Sequence, residues 1–345
     1  MTFTEPYLIL AHIGAFALCI SLAFTGFMIS AGLIDVPVER SSHANPTPTA
    51  GGIGIMAGIG AGLLALALYY PVFGSHGTLG TLAALIFAVG LLGFLDDVHD
   101  LDPKLKFVIM DVIAGVAVYV IGPPTGFPYI GGELPLPYWL AYSGTVLWIF
   151  TLLNAVNFID GANGLMGMVM FVACLFLCVI SVVCGASDAA ILSALTAAGI
   201  LGFLPYNAKY KANIFAGDVG SLVLGFTFAI AALLLVSERP SLGLLYVGPM
   251  LLLPLLADIL LTMAVRVSRK ENLLTAHRLH IFQRMIKAGH SHRQVALKYG
   301  LMFVIVDGLV LLMLPTPYIR SPLVLFGLAA ILSIGYWLLK RKYPR

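Results

Sequence analysis

Two adjacent carboxylates, Asp96 and Asp97, end the apolar run "GLLGFLDD". Asp100 and Asp102 follow in "DDVHDLDPKLK", with Lys104 and Lys106 behind them. Neighbouring carboxylates repel, and a divalent cation or a proton relieves them. Asp96 and Asp97 fall on the last turn of an apolar run, at a membrane edge, whereas Asp100 and Asp102 read more readily as a solvated acidic loop. Another carboxylate, Asp218, lies in "AGDVGS", where Gly217, Gly220 and Ser221 describe a tight turn into a helix. The free N–H groups of such a turn face an anion. Asp218 would repel a phosphate there unless Mg²⁺ bridged the two; the plainer reading is an N-capping Asp.

"NFIDGANGL" (157–165) sets Asn157, Asp160 and Asn163 between two apolar runs. Asn157 would supply a neutral oxygen to a cation and Asp160 a charged one. Asn163 offers both an acceptor and a donor to a planar amide such as a base edge. The alternative is a turn between helices, marked by Asp-Gly and Asn-Gly. Further on, "AHRLHIFQRMIKAGHSHR" gathers His277, His280, His290 and His292 with Arg278, Arg284 and Arg293. No Cys lies close and the Arg residues would repel a dication, which disfavours zinc. A cationic cluster facing a phosphate-bearing substrate fits better, against the alternative of a basic loop lying on anionic lipid.

Long apolar elements must position these groups. The 345 residues are 60% hydrophobic and only 10% charged, whereas soluble domains average about 25% charged. The chain reads as a single all-α polytopic membrane domain over residues 1–345. About eleven runs are long enough to cross ~30 Å of hydrocarbon. They fall roughly at 7–29, 51–70, 78–95, 107–122, 137–154, 165–183, 188–205, 219–236, 241–265, 296–315 and 321–339. The first lacks a basic n-region and is expected to be a retained span. All 19 Lys and Arg except Arg239 and Arg320 fall on one face of this arrangement. Because cytoplasmic loops hold the positive excess, the N-terminus is expected outside, with the C-terminus and the four polar segments above, together with "ERSSHANPTPTAGG" (39–52), on the cytoplasmic face. Nothing points to nucleic acid, and the four Cys read as packing residues.

Clustered carboxylates, a phosphate-type turn and an Arg/His loop on one face describe Mg²⁺-assisted phosphoryl transfer. A cation-coupled transporter, using the intramembrane acids Asp111, Asp258 and Asp307, is the rival from another class; a non-catalytic lipid- or sugar-binding protein is a third.

With these pieces in hand, the chain resembles the polyprenyl-phosphate N-acetylhexosamine-1-phosphate transferases, the group that includes MraY and WecA. The resemblance rests on "DDVHDLDPKLK", "NAVNFIDGANGL", "NIFAGDVGSLVLGF" and "AHRLHIFQRM", in matching order from about residue 35 to 295. It implies transfer of a sugar-1-phosphate from a UDP-N-acetylhexosamine to undecaprenyl phosphate, releasing UMP, an EC 2.7.8-type reaction needing Mg²⁺ (Mn²⁺ substituting). By position it implies that Asp96 and Asp97 engage the lipid phosphate and that Asp218 ligates Mg²⁺ with Asn157 as companion. Lys106 then faces the phosphates, Asp160 completes the catalytic set, Asn163 belongs to the uracil pocket, and Arg278 with His277 and His280 holds the diphosphate or sugar.

Two departures stand out. Asn163 replaces the Asp of most bacterial members, and the last loop lacks a consecutive His run. The second feature favours enzymes that initiate O-antigen or similar polysaccharides at a bacterial inner membrane, and places a muramyl-pentapeptide substrate second. A homodimer is allowed, although no residue argues for one.

The topology has a direct check. In a background with the native Cys replaced by Ser, a membrane-impermeant maleimide should label Ser241→Cys in intact cells. Ala208→Cys should react only after permeabilisation, and the reverse pattern would overturn the orientation.

Overall fold

Hydrocarbon offers the backbone no hydrogen-bond partner, so apolar runs of this length close their bonds internally as helices. The computed structural model describes residues 5–31, 34–35, 47–272 and 279–344. Its helices are α1 (Glu5–Ala31), α2 (Gly52–Tyr69), α3 (His76–His99), α4 (Pro103–Ile121), α5 (Tyr138–Ile159), α6 (Leu165–Cys184) and α7 (Ser187–Asn207). They continue as α8 (Gly217–Glu238), α9 (Val247–Leu251), α10 (Leu253–Ser268), α11 (Ile281–Lys287), α12 (His292–Met313) and α13 (Pro322–Lys342). Two short antiparallel pairs complete the fold: β1 (Ile34–Asp35) with β2 (Thr47–Pro48), and β3 (Gly126–Tyr129) with β4 (Gly132–Pro135). The β3–β4 hairpin lies in the connection between α4 and α5.

The protein is an all-α integral membrane protein. Among the described residues nine helices are long and apolar enough to cross a membrane: α1, α2, α3, α5, α6, α7, α8, α12 and α13. The eleven expected crossings differ from these nine at two places. One is α4, helical but carrying Lys104, Lys106 and Asp111. The other is the run expected over 241–265, which breaks into α9 and α10 at Leu252. Pro249 and Pro254 flank the break, and neither has an N–H to continue the ladder.

α8 sits at the centre of the bundle. It packs against α2, α3, α5 and α7, and nearly all of its apolar stretch is buried, as expected of a helix apolar on every side. Its N-terminus therefore emerges amid the ends of its neighbours. Main-chain bonds lace the approach: Gly51 N–H donates to the Phe215 carbonyl at 2.8 Å and Gly52 N–H to the Ala216 carbonyl at 2.9 Å. α3 reaches the same place because Gly93 has no side chain. A Cβ there would lie 2.6 Å from the Asp218 carbonyl carbon and oxygen and from the Val219 nitrogen.

At the opposite end, Glu238 accepts from the Asp188 and Ala189 N–H groups (3.1 and 2.9 Å), capping α7. Asp188 in turn accepts from Ser75 N–H at 2.8 Å. The three acids of the transporter reading part company. Asp258 is built into the structure, accepting from Ile281 N–H and, at 2.8 Å, from the Tyr299 hydroxyl. Asp111 is exposed on the outer face of α4. Asp307 is 0% exposed in mid-helix, and its carboxyl oxygens have no hydrogen-bond partner among the described residues. Among the described residues no hydrogen bond joins the three acids into a relay.

Gly93→Ala forces a backbone shift and should cost about 1–3 kcal/mol, read as a lower thermal midpoint in detergent. Gly80→Ala, on the same helix with open space around it, should match wild type. Equal midpoints for the two variants would contradict this packing.

Candidate active site

Four elements meet at the head of α8. Asp96 and Asp97 lie on the last turn of α3, Lys106 on the first turn of α4, Asn157 on the last turn of α5 and Asp218 on the first turn of α8. The acidic segment divides into two jobs. Asp102 caps α4, accepting from the Lys104 and Leu105 N–H groups at 2.9 and 3.2 Å. Asp100 takes a left-handed conformation to end α3. Together they turn the chain sharply enough for Lys106 to fold back onto Asp96.

Lys106 Nζ lies 2.6 Å from Asp96 Oδ2 and also donates to Asp218 Oδ2. Asp97 accepts the main-chain N–H of Asp218 with both oxygens, each at 3.0 Å. Asn157 Nδ2 donates to Asp218 Oδ1 at 2.7 Å and to Ser221 Oγ at 2.9 Å. Gly217 is required for this geometry. Its φ is +69°, and a Cβ would lie 2.4 Å from Asp97 Oδ2. Asp97 and Asp218 are thus locked together through the backbone, with α8's positive end beneath them.

Asp160 follows as the C-cap of α5, half-buried. Burial first, then the charges of Asp218 and Asp97, push its carboxyl up to about 7. Four carboxylates against a single ammonium leave an excess of negative charge. Among the described residues no three His, Cys, Asp or Glu side chains form a closed metal cage. The donors still fit a magnesium ion, which is ordinarily held by one or two carboxylates together with waters and substrate phosphates. Asp218 is the natural carboxylate for it. Asn157 donates into Asp218, so its Oδ1 is the atom left for a cation.

Asn163 stands slightly apart. Its N–H donates to His292 Nδ1 at 3.1 Å, and its Nδ2 reaches the Lys209 and Tyr210 carbonyls at 3.3 Å. With the amide hydrogens spent in this way, its Oδ1 becomes the group offered outward. Beside it, Gly164 N–H donates to Asn207 Oδ1 at 2.8 Å, and Asn207 donates to the Ile214 carbonyl. The segments around 163 and 210 and the head of α12 are therefore latched together.

The basic loop departs most from expectation. His277 and Arg278 lie outside the described residues. His280 is only 2% exposed, stacked between Phe158 and Phe282, with Nδ1 3.7 Å from Asp258 Oδ1. It heads α11 and is placed to hold the loop rather than to meet a diphosphate. Arg284 is likewise buried, donating to the Leu279 and Tyr343 carbonyls. His290 contacts Tyr343 and Lys298, and His292 belongs with Asn163. Among the described residues, His280, Arg284, His290 and His292 thus take separate structural tasks. Asn207 and Gly93 carried no separable signal, because small and amide residues in and at the ends of helices are common.

The family model for glycosyl transferase family 4 matches residues 79–236, the stretch from α3 to α8. A probable undecaprenyl-phosphate N-acetylglucosaminyl 1-phosphate transferase from Bacillus subtilis (strain 168) is 32% identical over 276 residues, covering 78% of this chain and 74% of that protein. The chain belongs to glycosyl transferase family 4. Two other relatives show its breadth. A decaprenyl-phosphate N-acetylglucosaminephosphotransferase from Mycolicibacterium smegmatis is 30% identical, with 84% of this chain and 78% of that protein covered. A phospho-N-acetylmuramoyl-pentapeptide-transferase from Caldicellulosiruptor bescii is 33% identical, with 69% and 74% covered. The family match spans Asp96, Asp97, Lys106, Asn157, Asp160, Asn163 and Asp218, while the 279–344 region lies beyond it.

Asp160 gives this family 4 site a pH signature. Its native value of about 7 exceeds the ~3.9 of an unfolded Asp, so the folded protein holds a proton that the unfolded chain releases. Stability is highest below pH ~4 on this account and falls as pH rises through 7. In EDTA, the thermal midpoint of wild type should decline more steeply from pH 5 to 7.5 than that of Asp160→Asn. Parallel declines would contradict it.

Proposed function

We propose that this chain transfers N-acetylhexosamine-1-phosphate from a UDP-sugar to undecaprenyl phosphate at a bacterial inner membrane, on the cytoplasmic side. The products are undecaprenyl-diphosphate-linked sugar and UMP. One observation carries the reading: carboxylates from α3 and α8 are driven together around Lys106 and the positive end of a buried helix. A bundle gains no stability from crowding like charges, whereas phosphoryl transfer needs such a set. Polyprenyl-phosphate sugar-phosphate transferases among the relatives support the same reaction class.

In this mechanism a phosphate oxygen of the lipid attacks the β-phosphorus of the UDP-sugar. A P–O bond to the lipid forms, and the P–O bond to UMP breaks. A phosphate monoester has its second pKa near 6, so the nucleophile is mostly dianionic at neutral pH and needs little base. Asp96 and Asp97 orient it and accept a residual proton. Lys106 carries positive charge to the phosphates, and Asn157 fixes the rotamer of Asp218. Mg²⁺ held by Asp218, with Asn157, would neutralise charge on the departing UMP. Asp160 faces the nucleotide sugar, and Asn163 accepts the N–H of uracil through Oδ1. The product is the first lipid-linked sugar of a cell-envelope polysaccharide, O-antigen or similar. The muramyl-pentapeptide substrate is the second reading, favoured by the Caldicellulosiruptor relative.

The test is release of labelled UMP when purified protein meets a panel of UDP-sugars, Mg²⁺ and undecaprenyl phosphate. A UDP-N-acetylhexosamine should turn over, with activity reduced at least ~10²-fold in Asp218→Asn and in Lys106→Met. Turnover of UDP-MurNAc-pentapeptide alone would select the second reading, and no turnover with any sugar would remove both. Rapid exchange of labelled UMP into UDP-sugar without lipid would replace direct attack by a covalent phospho-Asp path.

A further inference from the structure

We propose that the gap between α12 and α13 binds one anionic phospholipid, whose acyl chain fills the gap and whose phosphate meets Lys298 and Lys342. α13 packs chiefly on α10, and nearly all of its apolar stretch lies outside the protein interior. Between it and α12 is a cavity of about 320 Å³ walled by Ala257, Met302, Leu332, Gly335 and Leu339. In a bilayer such an apolar space is filled by whatever the membrane supplies. The walls of this gap are mostly apolar, and it admits the methylenes of an acyl chain.

The charge at the mouth selects the lipid. Lys298, near the start of α12, and Lys342, the last residue of α13, both line the cavity and are exposed. Neither pairs with a carboxylate among the described residues. Arg341 adds positive charge beside them. Asp258 is the acidic residue in the lining, and its oxygens already accept from Ile281 N–H and the Tyr299 hydroxyl. Basic crowns over apolar gaps between membrane helices bind anionic headgroups.

The position of the gap gives the lipid a consequence. Asp258, Ile281 and Tyr299 line it, and the same three residues anchor the segment that begins at His280. Arg284 and His290 tie that segment to Tyr343 at the end of α13. A lipid wedged between α12 and α13 therefore braces the root of the basic loop from behind.

Native mass spectrometry tests this on the full-length protein released from nanodiscs of equal phosphatidylcholine and phosphatidylglycerol. Wild type should retain one phosphatidylglycerol. The Lys298→Gln/Lys342→Gln double variant should retain roughly tenfold less or lower. Gly335→Leu keeps both lysines and has open space for its side chain, so it should fold and lose the lipid by filling the gap. Equal retention by the double variant, equal capture of phosphatidylcholine, or displacement of the lipid by added undecaprenyl phosphate would each overturn the proposal. Because the readout is bound lipid, it stands or falls independently of the transfer reaction.

Discussion

Asp218 is held to Asp97 by its own main-chain N–H, so two carboxylates cannot move apart without unwinding the head of α8. Unit like charges ~4 Å apart cost about 4 kcal/mol even at an effective dielectric of 20. Three features make that pairing tolerable. Lys106 bridges Asp218 to Asp96, Asn157 donates to the outer oxygen of Asp218, and the positive end of α8 lies beneath. Much of the rest of the bundle follows from this constraint. Gly93 lets α3 approach, Gly217 supplies the left-handed turn, and the 48–52 segment is laced to 215–216 so that α2 and α8 start together.

This arrangement leaves negative charge unbalanced, and that residue of charge is the link between fold and reaction. A site already neutralised by its own lysines would gain nothing from a divalent cation. On the proposed reading, one with four carboxylates and a single ammonium would be completed by a cation that arrives with a phosphate-bearing substrate. Asp160 adds to the same imbalance. Its raised value reports burial before repulsion, and a cation would lower it. Around this core the protein spends its remaining polar residues on bracing. Glu238 and Asp188 fix the far end of α7, while Asp258, Tyr299 and Tyr343 fix the segment that follows the basic loop.

Most helices were legible in the sequence because apolar length alone dictates them in hydrocarbon, and their ends fell within a few residues of the expected limits. The ninth run was not legible as two helices, since its hydropathy is continuous and only Pro249 and Pro254 mark the break. Asp96, Asp97, Asn157 and Asp218 could be picked out because polar groups at the ends of apolar runs demand a reason. Their mutual contacts could not, because pairing across 61 residues (Asn157 to Asp218) or 121 (Asp97 to Asp218) is set by packing and leaves no local trace. The described part of the Arg/His segment, from Leu279 onward, was not legible for the opposite reason. Charge density in sequence says nothing of burial, and the structure sinks His280 and Arg284 into the protein while sending His292 to Asn163.

Asp218 is the proposed meeting point of a divalent cation and the substrate phosphate. Electron paramagnetic resonance of Mn²⁺ added to the purified protein with UDP-N-acetylglucosamine, read for hyperfine coupling to ³¹P, tests that most directly. The account predicts one bound Mn²⁺ coupled to phosphorus in wild type, lost in Asp218→Asn and kept in Asp102→Asn. A phosphorus-coupled signal that survives Asp218→Asn unchanged would contradict it.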